Sequence, residues 1–256
     1  QQWIYDQSGI IFPDHKKDLL RQRLSRVNTS YHLAGVEELY ERLKDADDKK
    51  LQLDVLHAAT TNHTYFFREP EVLDSLMTKI LPKFQDRPLI KIWSAAASTG
   101  DEAYSLAILI AEKLGEAGLN KLDILGTDIS SEVVRRAEEG IYSHRQFDRT
   151  APELLRKYFK PVEEGYYQVS PNIKRACTFR RMNLKAIPYP FQSKFPIILC
   201  RNVFYYFDKK DQIDVLEGLY NVTEPGGYLL TSVTESVRNL PSRWQPVETG
   251  IFRRPE

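Results

Sequence analysis

The chain has 256 residues, with 36 Lys and Arg against 35 Asp and Glu, so its formal net charge is +1. Aromatic residues make up 11% of the chain and supply apolar surface that disordered proteins lack. The near-zero charge argues against a general nucleic-acid binder. Apolar runs such as 106–111 are far shorter than the roughly 20 residues that a membrane span needs. The composition therefore predicts a soluble globular protein with one large domain or two modest ones.

The two cysteines, Cys177 and Cys200, are too few for a disulfide scaffold or a typical zinc site. The first residues lack a basic segment followed by a long apolar run, so no signal peptide is predicted. Both observations favour a cytoplasmic protein with reduced thiols and without a metal site.

Residues 1–83 predict a helical domain. The segment 14–27 places Leu19, Leu20, Leu24 and Val27 on one face, with Lys and Arg on much of the rest. Amphipathic segments follow at 35–44, 49–60 and 71–81. Pro82 and Pro88 bracket the polar stretch KFQDR (83–87), and a linker is predicted at 84–89.

The pattern changes after residue 88, where short apolar runs alternate with helical periods. Strands are predicted at 89–93, 122–126, 195–200 and 228–233, and helices at 103–114, 132–139 and 209–219. This alternation predicts a three-layer α/β domain at 90–256 with a mostly parallel sheet. Turn signals within 158–183 predict an inserted antiparallel meander that includes the segments around Tyr166 and Phe179.

A loop of small residues, 94–100, follows the first predicted strand and precedes a helix. Small side chains let a ligand approach the backbone, and Gly100 tolerates a positive φ. Thr99 and Glu102 fit a capping box at the start of the helix. The loop lacks the lysine of a phosphate-binding loop, and Asp101 and Glu102 would repel a pyrophosphate. The pattern favours a ligand with a positive centre, although a plain strand-to-helix turn is the alternative.

Asp128 follows the second predicted strand in the run Gly126-Thr127-Asp128, at the point where Rossmann-like folds hold a ribose diol with an acidic side chain. Alternatively, Asp128 caps the following helix, a role for which Ser130 competes. The small-residue loop and the acids together favour S-adenosylmethionine, which has a positive sulfonium and no phosphate.

Five segments of the chain are together similar to the CheR-type chemotaxis receptor methyltransferases. These segments are TTNHTYFFREP (60–70), WSAAASTGDEAYSLAI (93–108), GTDIS (126–130), RMNL (181–184) and LCRNVFYYFD (199–208). The resemblance covers nearly the whole chain in order and spacing. It implies a class I S-adenosylmethionine-dependent methyltransferase fold: a Rossmann-like sheet, an N-terminal helical domain and a small inserted antiparallel β-subdomain. It also implies methyl transfer from S-adenosylmethionine to glutamate carboxylates of membrane chemoreceptors, the methyl-accepting chemotaxis proteins, with S-adenosylhomocysteine as the spent cofactor.

The resemblance further implies a set of site residues. Arg68 and Tyr206 would lie closest to the chemistry. The alternatives are an ion pair with Glu69 for Arg68 and aromatic packing for Tyr206. If the residues near 62 reach the cofactor, the N-terminal helices cover the site as a lid; otherwise 60–62 merely end one helix and cap the next. The implied cofactor contacts are Asn62, Thr64, Arg68, Glu102, Asp128, Asn183, Leu184, Arg201 and Asn202.

Two runs depart from the family pattern, GDEAYS at 100–105 and SVTES at 232–236. They motivate a second hypothesis, a non-catalytic S-adenosylmethionine-binding signalling adaptor of the same fold. The resemblance implies a partner, the cytoplasmic helical region of chemoreceptors, with no nucleic acid and no membrane insertion. The short turn KPVEEG (160–165) implies independence from a receptor tether peptide. The basic face of the helix at 16–26 is either solvated or a docking surface for an acidic receptor stalk.

Overall fold

The computed structural model describes residues 1–45, 47–60, 64–235 and 237–256. The α-helices are α1 Gln2–Ser8, α2 Lys17–Ser30, α3 Val36–Leu43, α4 Lys49–Ala59, α5 Pro70–Ser75, α6 Asp101–Leu119, α7 Ser131–Glu139, α8 Pro152–Tyr158, α9 Pro171–Arg175 and α10 Lys209–Val222. The strands are β1 Ile90–Ala95, β2 Leu122–Asp128, β3 Ile141–Ser143, β4 Phe159–Glu163, β5 Tyr166–Val169, β6 Cys177–Arg181, β7 Phe195–Cys200, β8 Thr223–Leu230, β9 Gln245–Glu248 and β10 Ile251–Arg253. Within the described ranges, no helix combines the length and apolarity needed to cross a membrane.

Helices α1 to α4 surround an apolar cluster of their own. Leu20, Leu24 and Val27 of α2 are buried in it with Leu51 and Val55 of α4. Leu19 was predicted on the same face, but it is 40% exposed. The prediction was wrong because successive helical residues are about 100° apart, and positions 20, 24 and 27 already define the buried stripe.

The described strands of the main sheet run in the order β6-β2-β1-β7-β8-β10-β9. Strands β6, β2, β1, β7 and β8 are parallel, whereas β10 and β9 pair antiparallel. The chain leaves β1 through α6 to β2 on one side, and β7 occupies the other side of β1. The order of connection therefore reverses at β1, and parallel α/β sheets bind ligands at such a point.

Alternating side chains of the central strands form apolar clusters on both faces of the sheet. Ile92 and Ile197 pack with α6 on one face, and Trp93 and Ile198 pack with α10 on the other. Burial on both faces explains why these strands read as continuous apolar runs. Helix α5 and the π-helical turn Leu76–Ile80 belong to the α6-side cluster. The domain boundaries predicted at residues 83 and 89 stay a prediction.

A small antiparallel sheet of order β3-β5-β4 lies beside the main sheet. The predicted meander correctly included β4 and β5, but its remaining segment was wrong. Strand β6 pairs in parallel with β2 in the main sheet, from Ile124–Cys177 to Asp128–Arg181. The third strand of the small sheet is β3, which precedes the predicted insertion.

Candidate functional site

Three neighbouring strands of the main sheet end within one residue of the same level. Ala95 pairs with Thr127 of β2 and with Cys200 of β7. Ala96, Asp128 and Arg201 therefore come together at the carboxyl edge of the sheet. They line a cleft of about 1070 Å³, part of which is open solvent.

The cofactor loop, which we define as residues 96–100, forms one wall of this cleft with an unusual backbone. Ala96, Ser98 and Gly100 all have positive φ, at 67°, 50° and 88°. Such a conformation costs on the order of 1–3 kcal/mol at a non-glycine residue and persists only where the surroundings enforce it. A Cβ at Gly100 would also lie 2.9 Å from the Ala137 Cβ.

The predicted capping box at Thr99 was wrong. The left-handed Gly100 is the residue that precedes α6, and it makes no side-chain cap. The Thr99 hydroxyl instead donates to the Asp101 Oδ2 at 2.6 Å. Asp101 is fully buried, and it does not line the cleft. Burial raises the pKa of its carboxyl, although hydrogen bonds from Thr99 and Gln146 oppose that shift.

Asp128 joins the loops that follow β1 and β2. Its Oδ2 accepts from the Ser98 amide and its Oδ1 from the Ser130 amide, both at 3.0 Å. Burial raises the pKa of Asp128, although the hydrogen bonds from these amides oppose that shift. Ser130, not Asp128, caps α7, since its hydroxyl accepts from the Val133 amide. Each carboxylate oxygen has two lone pairs, so Asp128 can still accept from a ligand in the cleft.

Arg201 connects three segments beneath the cleft. Its side chain is 2% exposed and lies 2.9 Å from the Glu102 carboxylate and 3.3 Å from that of Glu69. It also donates to the Arg68 carbonyl at 2.6 Å. A buried guanidinium needs such partners, and Arg201 pairs with both acids, so the three groups together keep one net negative charge.

Glu69 holds the next segment of the site. Its Oε1 accepts from the Asn202 amide group at 2.9 Å and from the Ser232 hydroxyl at 2.8 Å. Burial alone would raise the pKa of Glu69, but the Asn202 hydrogen bond and the charge of Arg201 hold it below its usual value.

Glu235 supports the loop that follows β7. Its carboxylate accepts from four backbone amides, those of Asn202, Val203, Phe204 and Ser232, at 2.6 to 3.0 Å. The side chain is buried, and burial raises its pKa, although the four hydrogen bonds oppose that shift. Asn202 has a φ of 60°, so Glu235 stabilises a left-handed position outside the cofactor loop.

The two residues predicted closest to the chemistry, Arg68 and Tyr206, both line the cleft. The Arg68 Nε is 4.0 Å from Glu69, too long for a hydrogen bond, and its guanidinium lies over the Tyr65 ring. Tyr206 lines the cleft and also packs against the cluster of α1 to α4, so the packing alternative holds for part of its surface.

The N-terminal segment covers one side of the cleft. Ser8 and Ile10 contribute to the lining. The Ile11 amide donates to the Tyr206 carbonyl at 2.8 Å, and the Asn183 side chain donates to the Gln7 carbonyl at 2.7 Å. A cover from the N-terminal helices was predicted, but its formation by α1 was not.

Every predicted site residue in the described part of the chain lines the cleft. Asn62 lies outside the described residues. The individual roles stay predictions. The lining residues are Ser8, Ile10, Thr60, Thr64, Tyr65, Arg68, Leu73, Ala96, Ala97, Ser98, Glu102, Ser105, Asp128, Ile129, Met182, Asn183, Leu184, Arg201, Asn202, Val203, Tyr205, Tyr206 and Phe207.

Sequence reasoning missed the supporting roles of Glu69 and Glu235. Glu69 was considered only as a partner of Arg68, and Glu235 lies in the SVTES run that was noted only as a departure. The available signal for Glu235 was an acidic residue in the loop that follows the buried strand β8.

Two buried polar atoms at the cleft lack a hydrogen-bond partner among the described residues. They are the Ser98 Oγ and the Arg201 Nε. Buried polar groups are seldom left unpaired, so these atoms fit a site that is completed by a polar ligand. Leu184, Met182 and Ile129 supply an apolar wall, which suits the adenine of S-adenosylmethionine.

Comparison with known proteins assigns both parts of the chain. Residues 62–252 match the family model described as CheR methyltransferase, SAM binding domain, and residues 1–58 match CheR methyltransferase, all-alpha domain. A chemotaxis protein methyltransferase of Vibrio parahaemolyticus is 36% identical over 96% of this chain and 90% of its own length. One of Escherichia coli is 32% identical over 95% of this chain and 85% of its own length.

Solved structures overlap the chain less closely. A SAM-dependent methyltransferase from Methanosarcina mazei has 16% identity and a TM-score of 0.35, covering 60% of this chain and 57% of that chain. At that level the overlap supports nothing further. The family models account for both the helical part and the cleft-bearing part, and this chain belongs to the CheR methyltransferase family.

Proposed function

We propose that this protein transfers a methyl group from S-adenosylmethionine to glutamate side-chain carboxylates of chemoreceptors and so forms glutamate methyl esters. One observation carries the proposal. The predicted site residues of the described chain meet in one cleft at the carboxyl edge of the sheet, where Asp128 retains free acceptor capacity.

The residues of the cleft fit the parts of the cofactor. Asp128 can accept hydrogen bonds from the ribose hydroxyls, and Leu184 and Met182 border an apolar region for the adenine. Glu102 lines the cleft, and its two oxygens accept from the Ser94 hydroxyl and from Arg201. Each oxygen keeps a lone pair that can accept from the charged methionine end. When bound, S-adenosylmethionine supplies an electrophilic methyl group on its sulfonium.

Positioning is the main task of the protein in this reaction. A glutamate carboxylate has a pKa of about 4.3 in water, so it is already an ionised nucleophile near neutral pH. No strong general base is needed, and alignment of the two reactants supplies much of the acceleration. Arg68 presents a planar fork of donors that can hold the acceptor carboxylate, and Tyr206 can orient one of its oxygens by a hydrogen bond.

The residues at which the two runs differ from the family pattern, Asp101, Ala103 and 232–234, do not line the cleft. Asp101, the altered acid of GDEAYS, bonds with Thr99 and Gln146 outside the cleft lining. Glu235 of the SVTES run keeps four amide contacts behind Asn202. The geometry thus favours the active enzyme over the adaptor hypothesis.

The partner that we propose is the cytoplasmic helical region of membrane chemoreceptors, which places the enzyme in the cytoplasm without membrane insertion. On α2 and the turn before it, Lys16, Lys17, Arg21 and Arg26 are exposed, which suits an acidic helical surface. Arg23 of the same helix faces inward and donates to the carbonyls of Ala59 and Thr60.

The test is incubation with methyl-labelled S-adenosylmethionine and membranes that contain a cognate receptor. We expect base-labile label in the receptor, and none when its methylation-site glutamates are replaced by alanine. Cofactor binding without label on any receptor would instead support the adaptor. Salt-sensitive methylation of nucleic acid would contradict the proposal.

A further inference from the structure

The cofactor loop is held from two sides. On the sheet side, the Ala97 amide donates to the Thr127 carbonyl at 2.8 Å and the Ser98 amide donates to Asp128. On the opposite side, the partners come from the small sheet and the turn that follows it. The Tyr142 hydroxyl of β3 donates to the Thr99 carbonyl at 2.6 Å.

Gln146 makes the second contact from that side. It lies in the 3₁₀ turn His144–Phe147, directly after β3. Its side-chain amide donates to the Asp101 Oδ1 at 2.9 Å, while Thr99 occupies the other oxygen of Asp101. Each oxygen of the buried Asp101 carboxylate thus accepts one hydrogen bond, one from the cofactor loop and one from the turn.

Gln146 also connects to the segment that carries Arg68. Its backbone carbonyl accepts from the Phe66 amide at 3.1 Å, and its Oε1 accepts from the Ser143 amide. Phe66 is buried between Tyr142 and Phe147, with ring centroids 4.8 and 4.9 Å away. Dense aromatic packing of this kind leaves Tyr142 and Gln146 little freedom to move.

We propose that Tyr142 and Gln146 are positioning residues that hold the cofactor loop in its left-handed shape, so that the small sheet sets the affinity for the cofactor. Neither residue lines the cleft. The inference rests on the proposed function because it takes S-adenosylmethionine as the ligand. The left-handed Ala96 and Ser98 need enforcement from outside the loop. Strand β3 and its turn contribute to it at the Thr99 carbonyl and, through Asp101, at the Thr99 hydroxyl.

The chain offers a matched control in Tyr104. Its buried hydroxyl also donates to a backbone carbonyl, that of Ala137 at 2.8 Å, and its ring belongs to the same aromatic cluster. Ala137, however, lies in α7 and outside the cofactor loop. Tyr142→Phe and Tyr104→Phe therefore remove the same kind of bond at similar burial, and only the first change releases the loop.

The experiment compares the full-length variants by calorimetry with S-adenosylhomocysteine, by thermal unfolding and by hydrogen exchange of the Ala97 and Ser98 amides. Loss of one net hydrogen bond that supports the loop should weaken binding by Tyr142→Phe about three- to tenfold. In Tyr142→Phe the Ala97 and Ser98 amides should exchange faster than in the wild type, even without ligand. Tyr104→Phe should lose similar thermal stability yet bind within about twofold of the wild type.

Equal affinity and equal loop exchange in the two variants would overturn the inference. If Tyr142→Phe does not fold, Gln146→Met removes the Asp101 bond at a partly exposed site and carries the same expectations. Failure of the wild-type protein to bind S-adenosylhomocysteine would refute the proposed function, whereas the exchange measurement would still decide whether β3 and its turn hold the loop.

Discussion

Replacing Glu235 by glutamine should destabilise the protein and the cleft together. The carboxylate accepts from four backbone amides, two on each oxygen, and each oxygen has one buried and one partly buried bond. An amide side chain keeps one oxygen, so two of those N–H groups would face an NH₂ group that cannot accept. A buried donor without a partner costs about 1–3 kcal/mol, which gives a total of about 2–6 kcal/mol.

The expected loss in the free energy of unfolding is taken as about 3 kcal/mol. For a chain of this size each kcal/mol lowers the melting temperature by about 2–4 °C, so calorimetric unfolding should show a decrease of about 6–12 °C. The matched control is Glu248→Gln, because Glu248 bonds with Lys79 and Ser75 at the surface. Such a surface pair contributes about 0–1 kcal/mol. Equal melting temperatures for the two variants would refute the assigned role of Glu235.

Three further outcomes follow from the geometry of the cleft. Asp128→Ala should weaken S-adenosylhomocysteine binding about ten- to a hundredfold in calorimetry, because a buried charged hydrogen bond contributes about 1.5–3 kcal/mol; unchanged affinity would remove Asp128 from the site. Tyr206→Phe should lower kcat for receptor methylation more than it changes cofactor affinity, and the reverse pattern would make Tyr206 a binding residue. The pKa of Glu69 lies below its ordinary 4.5 in the folded protein. Its contribution to stability is therefore present above pH 4.5 and is lost as the pH falls through the lowered pKa, which denaturant titrations between pH 7 and 3 should reveal. Glu69→Gln should flatten that dependence, and an unchanged acid limb would contradict it.

The central strands could be predicted because their chemistry is local. Ile92, Trp93 and Ile197–Cys200 are buried on both faces, and continuous apolar runs of that kind are typical of parallel strands. Strand β6 misled the prediction because it lies at the edge of the sheet. Only Phe179 of this strand is fully buried, so its pattern alternates as an antiparallel strand does.

The site could be located from its sequence motifs, but the contacts that hold its loops in place could not be predicted. The positions of Asp128, Glu102 and Arg201 follow from motifs at the ends of strands. The four amides that donate to Glu235 belong to residues up to 33 positions away, and only folding brings them together. The position of helix α1 could not be predicted for the same reason. Its Tyr5 hydroxyl donates to Asp208, which precedes α10 and is 203 positions away. Contacts at such separations leave no local periodicity in a sequence.

The most direct measurement is a crystal structure of the full-length protein grown with S-adenosylhomocysteine. The account predicts that the nucleoside occupies the cleft beside the cofactor loop, with a ribose hydroxyl within hydrogen-bond distance of the Asp128 carboxylate. An empty cleft, or the ligand bound elsewhere while Asp128 faces solvent, would contradict it.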